Sequence, residues 1–102
     1  AHYVAAKHGV EGLTKALAVE FGPAGTRAVC IAPSTVVTDG LINRFGPPGS
    51  GDDVYLRAAR RMPIARPSLP DDVARVVAFC VSDAAAMLTG CVIPVDGGHL
   101  AT

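Results

Sequence analysis

From position 3 to about position 21, apolar and polar residues recur with a helical period. At about 100° per residue, Tyr3, Lys7, Val10, Thr14, Leu17 and Phe21 fall on one narrow stripe. Almost opposite runs a stripe of small residues, Ala5, Gly9, Gly12 and Ala16. Two helical glycines cost roughly 0.8–1 kcal/mol each relative to alanine, so the pattern predicts a helix covered on two sides. FGPAGT, residues 21–26, then ends it, with Gly22 as the stop and Pro23 and Gly25 preventing its return. The continuously apolar run RAVCIAP predicts a short buried strand ending at Pro33, of the kind found in parallel sheets covered on both faces.

Beyond STVVTDG, which reads as a strand-to-loop exit, residues 39–69 lose their periodicity. FGPPGSGDD predicts an exposed, mobile turn, and VYLRAARRM a short helix stopped by Pro63. SLPDDVARVVAFCVSD restores a firm helical pattern. Ser68 is the candidate cap, Pro70, Asp71 and Asp72 fill the first turn, and Val73, Val76, Val77 and Cys80 form the core face. LTG is a turn, CVIPV a last strand, and DGG a sharp exit. The order is strand, helical connection, strand, which gives an α/β class with a parallel pair. Two strands alone do not make a stable open sheet, and the chain starts with Ala1. Its 102 residues are therefore expected to be a fragment of one longer domain.

Composition narrows the function classes. Half the residues are apolar, 18% are charged and the formal net charge is zero. The balance argues against a nucleic-acid binder, which carries a basic excess. No apolar run approaches the roughly 18 residues that cross a bilayer. Cys30, Cys80 and Cys91 sit in apolar surroundings with no CxxC, and read as small buried hydrophobes of a reducing cytoplasm. His2, His8 and His99 lack metal-ligand spacing, so no metal site is expected.

Candidate chemistry lies in HYVAAKHG. One helical turn sets the phenol of Tyr3 beside the ammonium of Lys7. A free phenol titrates at about 10, and an adjacent positive charge favours the phenolate. Such a phenol can give a proton to a carbonyl oxygen while hydride reaches its carbon, or take one from an alcohol. By itself YxxxK is a weak signal, because a solvated Tyr/Lys pair at this spacing is common in helices.

Four segments in order strengthen it. YVAAKHGVEGLTKALAVEF, RAVCIAPSTVVTD, PIARPSLPDDVA and LTGCVIPVDGG resemble the C-terminal half of the short-chain dehydrogenase/reductase family over nearly the whole chain. The resemblance implies the C-terminal part of a Rossmann-type doubly wound parallel sheet, with two strands, two main helices and a substrate lid over residues 39–69. It implies hydride transfer between NAD or NADP and a carbonyl or alcohol. Tyr3 would be the acid/base, with Lys7 lowering its proton affinity and holding the nicotinamide ribose. PSTVVT matches the family's P-G-x-V-x-T loop, which places cofactor contacts at Pro33, Ser34, Val36 and Thr38. Ser34 stands where glycine is usual, and Val29 where asparagine is common; these are either subfamily variation or a weakened cofactor pocket.

Within the implied lid, Arg57, Arg60 and Arg61 either meet an anionic substrate or phosphate-bearing carrier or form a solvated face. Leu41, Ile42 and Phe45 line an apolar pocket or pack the lid, Arg66 pairs with Asp71 or Asp72, and VDGG closes the last strand. The resemblance also implies homodimers or homotetramers through the small-residue stripe, a small-molecule substrate, and no nucleic-acid or membrane partner. The family's glycine-rich phosphate loop and catalytic serine are not among these residues, so the chain by itself is expected to be inactive. GPPGSG is not such a loop, because no strand feeds it and no lysine closes it. A truncated, non-catalytic dimerising module is the alternative, and a sugar-nucleotide epimerase, which shares YxxxK, ranks lower.

Overall fold

A computed structural model of the chain describes residues 1–50 and 53–102. Its elements run α1 (His2–Phe21), β1 (Val29–Pro33), α2 (Asp39–Phe45), α3 (Val54–Ala59), α4 (Pro70–Val81) and β2 (Cys91–Val95). β1 and β2 pair in a two-stranded parallel sheet. The chain divides into two compact units, one of Ala1–Ile31 with Ala78–Ile93, the other of Ala32–Val77 with Pro94–Thr102.

In the first unit, α1 buries only Thr14 and Ala18, with Glu11 and Leu17 half-buried. The buried threonine hydroxyl is satisfied by donating to the Val10 carbonyl at 2.8 Å. Ala18 packs against the entry to β2, where Gly90 has a φ of 69° and a Cβ would lie 3.3 Å from the Ala18 Cβ. That position therefore needs glycine for both conformation and space. The expected two-sided cover of α1 is not provided by the described residues. Ala5, Gly9, Gly12 and Ala16 are exposed, and a Cβ at Gly9 or Gly12 would meet nothing within 4 Å.

Gly22 does follow α1, but in right-handed helical conformation. A 3₁₀ turn carries the chain on to Ala24, and the left-handed reversal falls at Gly25, with φ 82°. Arg27, just before β1, binds this unit together. Its guanidinium donates to the carbonyls of Cys80 at 2.7 Å, Leu88 at 3.2 Å and Ser82 at 3.3 Å. The last carbonyls of a helix have no partners within it, and here one cation serves the end of α4 and the turn that follows. Register into the sheet is fixed by Gly90 N–H donating to the Ala28 carbonyl at 2.7 Å, and by Ala28 N–H donating to Thr89 Oγ1 at 3.0 Å. Cys80 is buried, whereas Cys30 and Cys91 are half-buried.

In the second unit the short helix expected in VYLRAARRM is present, and residues 39–69 hold one more helix than the loss of periodicity suggested. Thr38 caps a helix over Asp39–Phe45, and Asp53 caps another over Val54–Ala59. The Asp53 carboxylate accepts from the backbone N–H groups of Gly49, Tyr55 and Leu56 at 2.7, 2.8 and 3.1 Å. Desolvation raises its pKa, but these three bonds outweigh that and hold it below the ordinary value. The core of the unit is Tyr55, 1% exposed, with Ala59 and Met62. The Tyr55 hydroxyl donates to the Gly46 carbonyl at 3.2 Å. α3 ends at Ala59, well before Pro63. Of the turn expected in FGPPGSGDD, residues 47–50 are exposed and Ser50 Oγ donates to the Pro47 carbonyl, while residues 51 and 52 lie outside the described residues.

Two expectations for the last helix also change. Ser68 is buried in a parallel bridge to Val36, and the side chain that serves the start of α4 is Asp72, which accepts from Leu69 N–H at 2.8 Å. Asp72 supplies the reciprocal half of a capping box from inside the first turn. Val73 and Val76 are half-buried as anticipated, but Val77 is 42% exposed, so the covered face is narrower than the apolar pattern.

Candidate active-site elements

Tyr3 and Lys7 stand on the first two turns of α1, as the i, i+4 spacing requires. Tyr3 is 66% exposed, and the Lys7 ammonium lies 5.4 Å from the centroid of its ring, within cation–π range. The ammonium thus sits over the ring face. His8 Nδ1 lies 2.9 Å from the Val4 carbonyl and anchors the same turn. Phenol and ammonium are both open to a ligand arriving at this end of the helix.

The PSTVVT loop is shaped by backbone bonds at both ends. Pro33 ends β1 and is exposed, and Ser34 N–H continues the ladder by donating to the Val95 carbonyl at 3.3 Å. Val36 bridges Ser68, and Val37 N–H donates to the Ser68 carbonyl at 2.9 Å. Thr38 Oγ1 accepts from Leu41 N–H at 3.4 Å, which leaves its own O–H proton available to a ligand. Among the described residues every positive φ belongs to a glycine, so Ser34 occupies ordinary backbone space. Replacing the usual glycine there imposes no conformational cost. Val29 opens β1 and is half-buried, so the position that is commonly asparagine carries apolar packing here. These residues fit a loop that presents backbone groups and one hydroxyl to a carboxamide.

The Arg66 side chain is committed elsewhere. It forms a two-point pair with Asp72, Nη1–Oδ2 at 2.7 Å and Nη2–Oδ1 at 2.8 Å, the geometry in which guanidinium and carboxylate bind best. The Arg66 hydrogen bond, with Leu69 N–H, drives the Asp72 carboxyl far below the usual carboxylate range. Asp71 instead faces Arg75 at 3.7 Å. Arg66 and Asp72 line a cleft of about 390 Å³ with Ser68 and the β2 exit, but their charges are already paired across it. In that exit Asp96 is buried and accepts from Gly98 N–H at 2.9 Å and Leu100 N–H at 3.0 Å. VDGG therefore closes the strand structurally. Leu41 and Ile42 are half-buried and Phe45 is 45% exposed beneath the Arg44 guanidinium.

Sequence reasoning passed over Arg27, Asp53 and the helix after Thr38. Asp53 directly precedes the apolar run VYL and Thr38 stands three residues before Leu41, each a cap signal. Arg27 offers no such signal, since its partners are carbonyls more than fifty residues away. Among the described residues no three His, Cys, Asp or Glu side chains gather to hold a metal, and no helix is long and apolar enough to cross a membrane.

Comparison with known proteins bears on the family and the fold. The family profile described as enoyl-(acyl carrier protein) reductase matches residues 1–99. An uncharacterized oxidoreductase of Schizosaccharomyces pombe is 44% identical over 99 residues, 97% of this chain and 37% of that protein. The crystal structure of a short-chain dehydrogenase/reductase family oxidoreductase from Burkholderia thailandensis superposes with a TM-score of 0.86 at 39% identity, covering 98% of this chain and 38% of the other. A Beutenbergia cavernae structure, described as an NAD(P)-dependent gluconate 5-dehydrogenase with NADP bound at low occupancy, gives 0.84 at 37%, covering 98% and 39%. The chain belongs to the short-chain dehydrogenase/reductase family and has its Rossmann-type fold. It spans less than two fifths of the length of these two oxidoreductases, from S. pombe and B. thailandensis.

Proposed function

We propose that the protein carrying this chain is an oxidoreductase that interconverts a carbonyl and an alcohol on a small molecule, using NAD or NADP. The observation that carries this reading is the Tyr3–Lys7 pair, exposed on one helical turn of a chain that matches the family from residue 1 to residue 99. The dinucleotide, when bound, supplies or receives the hydride. Tyr3 donates its phenolic proton to the carbonyl oxygen in reduction and accepts a proton from the alcohol in oxidation. Lys7 presents an ammonium that favours the anionic partner of that exchange and retains donors for ribose hydroxyls. Pro33, Ser34, Val36 and Thr38 hold the carboxamide, with the Thr38 O–H as the side-chain donor.

The protein works in the cytoplasm as a homodimer or homotetramer, without a nucleic-acid or membrane partner. The exposed Gly9–Gly12 face of α1, where a Cβ would meet nothing within 4 Å, is the surface offered to a second subunit. The 102 residues alone are inactive in this reading, because they include no glycine-rich phosphate loop. The same exposed face favours the second reading, a dimerising module without catalysis.

Tyr3→Phe in the full-length protein separates the two readings. Loss of general acid–base catalysis lowers kcat by about 10²–10⁴-fold while dinucleotide affinity, measured by titration calorimetry, is retained. Turnover within a factor of two of the parent protein would exclude Tyr3 as the acid/base.

A further inference from the structure

Five of the seven arginines in the chain have partners. Arg27 holds three carbonyls, Arg44 lies over Phe45, Arg66 clamps Asp72, Arg75 faces Asp71, and Arg57 is likewise engaged. Arg60 and Arg61 differ. Their guanidinium groups are exposed, with no carboxylate or carbonyl partner among the described residues. Both line a cleft of about 450 Å³, together with Met62, Pro63, His99 and Thr102.

The walls of this cleft come from two segments locked to each other. Ile64 N–H donates to the Gly97 carbonyl at 3.0 Å, and His99 Nδ1 lies 3.2 Å from the Arg61 carbonyl. Pro63 packs on Gly98 so closely that a Cβ there would come within 2.9 Å of its ring. Met62, 5% exposed, anchors the floor. A carbonyl can only accept, so the bond to Arg61 puts the proton on Nδ1 and leaves Nε2 as the ring's other polar edge; the imidazolium form donates from both. Asp96, the carboxylate on the His99 loop, is buried and spent on Gly98 and Leu100 N–H groups. The cleft therefore carries two guanidinium groups on walls fixed to each other, and no Asp or Glu side chain among the described residues lines it.

We propose that this cleft binds a phosphate-type oxyanion, through the guanidinium groups of Arg60 and Arg61 with His99 held beside them. Planar guanidinium forks match the oxygens of a phosphoryl group better than any other side chain does. The anion is either free phosphate or the terminal phosphoryl group of a larger ligand. This inference does not rest on the oxidoreductase reading and stands or falls separately from it.

The test is titration calorimetry of the full-length protein with sodium phosphate, against sodium chloride at matched ionic strength, for the parent and three double variants. R60Q/R61Q removes both forks. R44Q/R75Q removes the same net charge elsewhere, and R60K/R61K keeps the charge but loses the fork. Saturable phosphate binding that weakens by at least about tenfold in R60Q/R61Q, less in R60K/R61K, and not in R44Q/R75Q is the expected result. Glycerol phosphate binding with similar affinity assigns the site to a phosphoryl group on a larger ligand; binding of inorganic phosphate alone assigns it to the free ion. Heat no larger than the chloride control, or equal weakening in the Gln variants at both places, overturns the proposal. R60K/R61K also covers the case in which the glutamine variant fails to fold, because loss of the forks with the charges kept must then still weaken binding.

Discussion

The N-terminal turns of α1 and the exit of β2 are built on opposite plans. Around Tyr3 and Lys7 nearly every side chain is exposed, and the neighbouring glycines have empty space where a Cβ would go. Around residues 96–99 the carboxylate of Asp96, Nδ1 of His99 and backbone groups of both glycines have partners. A helix supplies its own hydrogen bonds and can carry reactive groups in the open. A loop must find partners for its backbone, and here they come from its own aspartate and from the segment at 61–64. Exposure and rigidity are thus assigned to different kinds of element.

The contrast can be broken in graded steps. At the open end, Tyr3→Phe is expected to cost about 10²–10⁴-fold in turnover and leave Tm unchanged, since the side chain is exposed. A fall in Tm comparable to that of a core variant would show that the ring is covered after all. At the closed end, Gly98→Ala places a Cβ 2.9 Å from Pro63 at a φ of 86°. Left-handed strain alone costs about 1–3 kcal/mol, so urea unfolding should show a clear loss of stability. A neutral result would mean that the 61–64 segment yields freely.

Smaller effects sharpen the picture. Gly9→Ala in α1 should disturb the proposed subunit contact; a stabilisation of roughly 0.8–1 kcal/mol with unchanged self-association would instead show that the face stays open. Destabilisation, or weaker self-association in analytical ultracentrifugation, would reveal a surface packed closely against it. The smallest effect concerns pH. The Asp72 carboxyl is held below its ordinary value by Arg66 and the Leu69 N–H, so its contribution is fully present above the ordinary carboxylate range. It is lost as the pH falls through the depressed folded value. Asp72→Asn should lower stability near neutrality and flatten the acid limb of a Tm-versus-pH curve. An acid limb as steep as in the parent protein would assign the titration to Asp53 and Asp96, which are shifted in the same direction.

Legibility in the sequence followed length and periodicity. α1 and α4 were readable because their apolar spacing persists over several turns, and both strands because each is a continuous apolar run bounded by turn residues. α2 was not, since DGLINRF is two turns long and contains Gly40; its only signal is Thr38 three residues before Leu41. Ser68 and Val77 show a different limit. An apolar or cap-forming residue type states what a position could do, while burial depends on which neighbour arrives. Ser68 is taken up by Val36, and Val77 turns outward. The pair Tyr3 and Lys7 was legible because one helical turn is a fixed distance, whereas the cleft at Arg60, Arg61 and His99 joins residues 38 apart, where spacing carries no information.

The three carbonyls collected by Arg27 bear on how the chain tolerates changes in length. A single planar group fixes the positions of residues 80, 82 and 88 relative to the start of β1. An insertion or deletion between 82 and 88 would force one of these carbonyls off the fork and carry the offset into the register at Gly90. Natural or engineered length variation should therefore be absent from this turn, even though much of its surface is exposed.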